Sequence, residues 1–188
     1  MYRPRIIPVL LLKNNGLVKS IKFKNHRYIG DPINAVRIFN DLKADELVFL
    51  DILASKEKRL ISLDFVKNVG EEANMPFSVG GGISKLEHIS KILETGAEKV
   101  ILNTVAGENT GFVANAVKEF GSSTIAVCLD VKKNLWNKKH FVLRSRRKSL
   151  ALMPFPPFDG EWEPNEWFLF LYCGVNGMVI NCYSEVVL

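Results

Sequence analysis

Five short apolar, β-branched runs, at residues 5–12, 46–52, 76–79, 99–103 and 124–130, recur along this 188-residue chain, and amphipathic segments separate them. A chain that alternates buried strands with helices has few choices: it builds a parallel sheet covered by helices. The helical segments carry start signals. Asp31-Pro32 sets an N-cap before a proline at the first helical position, where a missing N–H costs nothing, and Ile33, Val36, Phe39 and Leu42 then fall on one face. Ser84 and Glu87 form a capping-box pattern ahead of Leu86, Ile89, Ile92 and Leu93. Phe65, Val66, Val69 and Ala73 carry the second helix, and Phe112, Val113, Ala116, Val117 and Phe120 the fourth.

Doubly wound sheets and TIM barrels share this alternation, so polar residues at strand ends decide between them. A TIM barrel opens the carboxyl ends of several strands onto one working face. Here Asp51 follows the second strand, Gly80-Gly81-Gly82 the third, Asn103-Thr104 the fourth, and Asp130 the fifth. The pattern predicts an α/β chain with a TIM-barrel-type (β/α) fold, incomplete at about five strands.

Three consecutive glycines at a strand end let backbone N–H groups approach a ligand without side chains in the way, and they reach φ values closed to other residues. A phosphate is the natural guest, and a tight turn is the plainer explanation; Asn103 and Thr104 on the next strand favour the phosphate. Asp130 ends an apolar run, where an ionised carboxylate must be paired or line a wet pocket, so it reads either as a general acid or base or as a cap on the following turn. Asp51 reads as a site carboxylate or as an acceptor organising a loop. At the opposite strand ends stand Arg5, Glu46 and Lys99. They are either three solvated charges or, if they point into a barrel, charges that must pair.

Composition excludes several classes. The net charge of +5 is local: eight basic residues and no acid lie between Lys132 and Lys148, and the rest of the chain is slightly acidic. That reads as one solvated segment and not as a nucleic-acid face. Cys128, Cys173 and Cys182 show neither metal-ligand nor redox spacing, so no metal, cofactor or disulfide is expected. His26, His88 and His140 read as surface or loop residues. The apolar stretch 6–12 is too short to span a bilayer and lacks a cleavage site, so a cytoplasmic address without membrane contact is expected.

Taken together, Arg5-Ile6-Ile7-Pro8, Phe23-Lys24-Asn25, Gly30-Asp31-Pro32, the block 44–52, Val79-Gly80-Gly81-Gly82-Ile83 and the block 99–103 resemble the cyclase subunit of imidazole glycerol phosphate synthase. The resemblance runs without an obvious gap from Arg5 to about Lys133. It implies a TIM barrel of two similar halves. Such a barrel takes ammonia from a glutaminase partner and forms imidazole glycerol phosphate and an aminoimidazole carboxamide ribonucleotide in histidine biosynthesis. It further implies that Gly81, Gly82, Asn103 and Thr104 hold a substrate phosphate, with Asp51 beside them, and that Asp130 is a catalytic aspartate. Arg5, Glu46 and Lys99 match three charges of the ring that admits ammonia at the barrel bottom.

Two departures stand out. The family's other catalytic aspartate falls at Leu11, and leucine transfers no proton. Relatives with such a change resemble paralogues of surface-polysaccharide gene clusters that supply ammonia for sugar amidation; an inactive phosphate-binding fragment is the third reading. The second departure is the tail, residues 134–188, against the partial barrel at 1–133. It holds Trp136, Trp162 and Trp167 and a run of prolines, and it reads as an irregular segment in a shifted frame beginning near residues 134–141. Five strands alone would leave two open sheet edges, which invite self-pairing or a partner.

Overall fold

The computed structural model describes residues 5–21, 24–133, 139–142, 149–150, 167–173 and 178–183, with backbone alone from residue 129 onward. The chain opens with β1 (Val9–Lys13), β2 (Gly16–Ile21) and β3 (Lys24–Gly30). Alternating elements follow: α1 (Pro32–Asp41), β4 (Leu47–Asp51), α2 (Leu63–Glu72), β5 (Phe77–Gly80), α3 (Leu86–Glu94), β6 (Lys99–Leu102), α4 (Thr104–Glu108), α5 (Thr110–Phe120) and β7 (Ile125–Lys133). Then come β8 (Lys139–Val142), β9 (Ser149–Leu150), β10 (Trp167–Cys173) and β11 (Met178–Tyr183).

Caps explain most helix starts. Asp31 accepts from the Asn34 N–H at 3.0 Å with Pro32 next to it, and Ser62 and Asn109 do the same for Phe65 and Phe112. The capping box expected at Ser84 does not form. Lys85 is the N-cap of α3, so Glu87 sits one position too early to reach back, and the Ser84 N–H meets His88 Nδ1 at 3.4 Å instead. His88 is thus a helix residue, and His26 lies in strand β3.

The five expected strands are β1, β4, β5, β6 and β7, and they are parallel neighbours in chain order. Each new strand joins the same side of the last, so the order never reverses as it does in a doubly wound sheet. Right-handed crossovers then put every helix on one face. The packing agrees with this. Leu10, Leu12, Leu47, Phe49, Val79 and Leu102 pack in one core with α1–α5, and Phe49 meets Phe65 edge-on at 5.3 Å. Val9, Val48, Ile101, Ala126 and Cys128 form a second cluster on the other face, without any helix residue. Alternation along each strand divides the two faces.

The edges differ from expectation. Asn14 and Asn15 both take positive φ, 50° and 62°, and turn β1 back into β2 and β3, an antiparallel hairpin that pairs along the upper half of β1. At the other side, β7 does not end at residue 130. It runs to Lys133 because β8 and β10 pair with it antiparallel, and β10 carries β11. The described tail residues thus lie in strands, and the rest of 134–188, on which the expectation of an irregular tail also falls, lies outside the described residues. An open parallel edge presents unpaired N–H and C=O groups, and an apolar aromatic run such as Trp167–Cys173 satisfies them.

Candidate functional site

The amino ends of the parallel strands hold a buried charge network. Glu46, 5% exposed, precedes β4. Its Oε2 receives Lys99 Nζ at 2.9 Å and an Arg5 guanidinium nitrogen at 3.2 Å, and its Oε1 receives the Ser78 hydroxyl at 2.6 Å. Arg5, Glu46 and Lys99, separate in sequence, are brought together, and of the two readings left open the paired one is what the geometry displays. Burial explains why: a carboxylate so removed from water persists only when its lone pairs are filled. Ser78 was not expected here. The signal was a lone hydroxyl in the apolar strand Phe77-Ser78-Val79-Gly80. Ile6 adds its N–H to Asp45 at 2.7 Å, which ties the entry of β1 to the loop before β4.

The carboxyl ends carry the second cluster. Parallel register pairs Leu12 with Asp51, Leu50 with Gly80, and Gly80 with Ile101, so Gly81-Gly82 and Asn103 leave the carboxyl ends of neighbouring strands. Gly82, at φ +69°, has no room for a side chain: a Cβ would lie 1.7 Å from the Arg59 carbonyl oxygen. A Cβ on Gly81 would meet Asp51 Cβ at 2.8 Å, and the Gly81 carbonyl accepts from the Ile61 N–H at 3.1 Å. Gly81 and Gly82 are therefore packed against the end of β4 and the loop that follows it, which satisfies the tight-turn reading. It does not exclude an anion, since none of the described residues hydrogen-bonds the Gly82 N–H.

Asp51 is occupied. Arg59 grips it with two nitrogens, at 2.5 Å and 3.3 Å, and the Leu53 and Ala54 N–H groups donate to its Oδ1 at 3.0 and 3.1 Å. These bonds display the loop-acceptor role. Hydrogen bonds to Asp51 first and to Glu57 second hold the Arg59 guanidinium protonated beyond its ordinary value. Arg59 had no signal in sequence, because it stands in a charged loop like any solvated residue.

Asn103 stands at the N-cap position of the short α4, and its side-chain amide donates to Cys128 Sγ at 3.2 Å in place of a cap bond. Thr104 opens the same helix, whose first N–H groups have no intrahelical acceptor. Cys128 is buried and reduced; the side chains of Cys173, Cys182 and His140 lie outside those described. Asp130 is inside β7, its backbone opposite Leu169 of β10, and its side chain also lies outside those described. Leu11 follows Val9 by two residues on β1, so alternation sets it on the inner face, opposite Leu50. The cavity beside it, about 30 Å³ and lined by Leu11, Lys19 and Ser20 among others, has room for roughly one water and none for a sugar phosphate. No helix among the described residues is long and apolar enough to cross a membrane.

Parallel strands in chain order, helices on one face and polar groups at both strand ends define a (β/α) barrel-type protein in part. Comparison with known proteins carries this further. The histidine biosynthesis protein family matches residues 5–153, so the chain belongs to that family and within it is HisF-like. It is 46% identical to the "Putative imidazole glycerol phosphate synthase subunit HisF" of Leptospira interrogans over 155 residues, 82% of this chain and 61% of the relative. It is 45% identical to the "Putative imidazole glycerol phosphate synthase subunit hisF2" of Pseudomonas aeruginosa, covering 72% and 54%. The imidazole glycerol phosphate synthase subunit HisF of Thermococcus onnurineus is 46% identical over 75% of this chain and 55% of its own. The chain thus spans little more than half the length of these curated relatives. The family match continues beyond Lys133 to residue 153, past the stretch 134–141 where the character of the sequence was expected to change.

Proposed function

We propose that this chain is the substrate-phosphate-holding and ammonia-admitting part of an imidazole glycerol phosphate synthase cyclase subunit. The observation that carries it is the joint presence, on one parallel sheet, of Arg5, Glu46 and Lys99 in contact at the amino ends and of Gly81-Gly82 and Asn103 following the carboxyl ends of the neighbouring strands β5 and β6. In this reading the Gly81, Gly82, Asn103 and Thr104 region takes a terminal phosphate of the substrate. Asp51 braces the loop behind it, and Asp130 moves a proton at the reacting ring. Arg5, Glu46 and Lys99 gate ammonia delivered by a glutaminase subunit docked at the barrel bottom. The chemistry uses no metal and no cofactor. In this reading residues 1–133 are the partial barrel, a (β/α) fold incomplete at five parallel strands, and 134–188 are the divergent tail, of which the described strands β8 and β10 pair with β7.

Leu11 stands where the second acid–base group of the pair belongs, and losing one member costs about 10²- to 10⁴-fold in rate. Turnover is accordingly slow, and Leu11→Asp raises it. The test is ammonium-dependent formation of imidazole glycerol phosphate by the chain, alone and with a glutaminase, together with complementation of a strain lacking its cyclase. Soluble protein that neither turns over nor complements, with or without Leu11→Asp, overturns the cyclase assignment.

Leu11 also favours a second reading, in which the gate and phosphate face survive in a paralogue that supplies ammonia for amidating a surface-polysaccharide sugar. The relative named hisF2 is consistent with such second copies. Failure to complement, with preserved stimulation of a glutaminase partner, distinguishes it. Absence of both, with saturable phosphate binding retained, leaves a phosphate-binding fragment.

A further inference from the structure

The loop between β4 and α2 is folded back on itself more tightly than a mere connector needs. The Glu57 N–H reaches the Leu53 carbonyl at 2.9 Å and the Arg59 N–H the Ala54 carbonyl at 3.0 Å, with Lys58 between them at φ +54°. Arg59 then closes the fold with its side chain: Nε meets Glu57 at 2.7 Å, and the other two nitrogens meet Asp51 at 2.5 and 3.3 Å. A bidentate guanidinium–carboxylate pair fixes orientation as well as distance. The same residue presents its carbonyl oxygen to Gly82, where a Cβ would come within 1.7 Å, and two residues on Ile61 donates to the Gly81 carbonyl at 3.1 Å. Side chain and backbone of one residue thus connect the end of β4 to the glycine turn after β5.

We propose that Arg59 is a positioning residue: through the Asp51 clamp it sets where the Gly81-Gly82 turn stands, and with it the Gly82 N–H that faces the substrate phosphate. The assignment of that phosphate rests on the function proposed above. A group held a fraction of an ångström from its place binds poorly, so loss of the clamp shows in ligand affinity before it shows in the fold.

The experiment titrates inorganic phosphate into the full ¹⁵N-labelled chain and follows the Gly81 and Gly82 amide resonances. In the unsubstituted chain both shift saturably. Arg59→Ala weakens binding about tenfold and moves both resonances before phosphate is added. Arg59→Lys, which keeps the charge and loses the fork, falls between. Arg37→Ala removes another Arg–carboxylate pair, 2.9 Å from Glu72 between α1 and α2, and leaves phosphate affinity unchanged. Should Arg59→Ala fail to fold, the lysine variant decides. Phosphate affinity and amide positions equal to the unsubstituted chain in the folded variant overturn the proposal. If the unsubstituted chain itself shows no saturable shift, the phosphate reading fails, and the amide positions of the phosphate-free variants still decide the clamp: moved, it stands; unmoved, it falls.

Discussion

At the amino ends of the parallel strands, Glu46 is met by Arg5, Ser78 and Lys99, which lie 41, 32 and 53 residues away in sequence. At the carboxyl ends, Asp51 is met by Arg59, eight residues on in its own loop, and by two amides nearer still. The first cluster exists only because four strands are in register, whereas the second is assembled by one turn of chain. That contrast bears on function. A long-range network depends on the register of the sheet, while a locally braced loop depends on its own turn; in the function proposed above the first is the gate and the second stands behind the phosphate site.

Breaking the long-range cluster should cost most. Glu46→Ala strands the Lys99 ammonium, whose side chain is 18% exposed, and is expected to destabilise by about 3 kcal/mol in urea denaturation. The contrast sharpens when Glu46→Leu, Lys99→Met and Ser78→Ala are combined: removing these three restores most of the loss, because the one charge left, Arg5, has a side chain 40% exposed and reaches water. A triple variant as unstable as the single one would show that the charges themselves, and not their pairing, support the fold.

Next in size is Gly82→Ala, which drives a methyl into the Arg59 carbonyl at a positive φ. About 2 kcal/mol is expected in thermal or urea unfolding, from overpacking and backbone strain together. Cys128→Ala follows. It removes a buried sulfur and the acceptor of the Asn103 amide, for about 1 kcal/mol, and it should shift the Asn103 side-chain amide resonance.

The smallest effect belongs to the exposed Arg37–Glu72 pair. The hydrogen bond from Arg37 holds the Glu72 carboxyl below its ordinary range. A carboxyl depressed on folding contributes above its unfolded pKa and loses that contribution as the pH falls through the folded value. Arg37→Ala should therefore lower the urea midpoint slightly at neutral pH and low salt. The gap should close in acid, and also in high salt, since the pair is solvated.

Much of this was legible in the letters. The five parallel strands follow from apolar runs, and the start of α1 follows from Asp31 and Pro32. The hairpin of β2 and β3 was not among the expected strands, although Asn14-Asn15-Gly16 carries a two-residue turn signal. The partners Ser78 and Arg59 were missed as well. A serine in a strand and an arginine in a charged loop look like many others until another element arrives beside them.

Local rules act through the backbone and the solvent, so the sequence by itself determined which segments are strand or helix, which face of each is apolar, and that a chain of this order makes a parallel sheet. Only the tertiary structure decided that Arg5, Glu46 and Lys99 are paired, that Asp51 belongs to Arg59, and that Gly82 lies against a carbonyl. Those outcomes depend on register between strands and on distances across loops. Electrostatic and steric energies change within an ångström, a scale on which spacing along the chain carries no information.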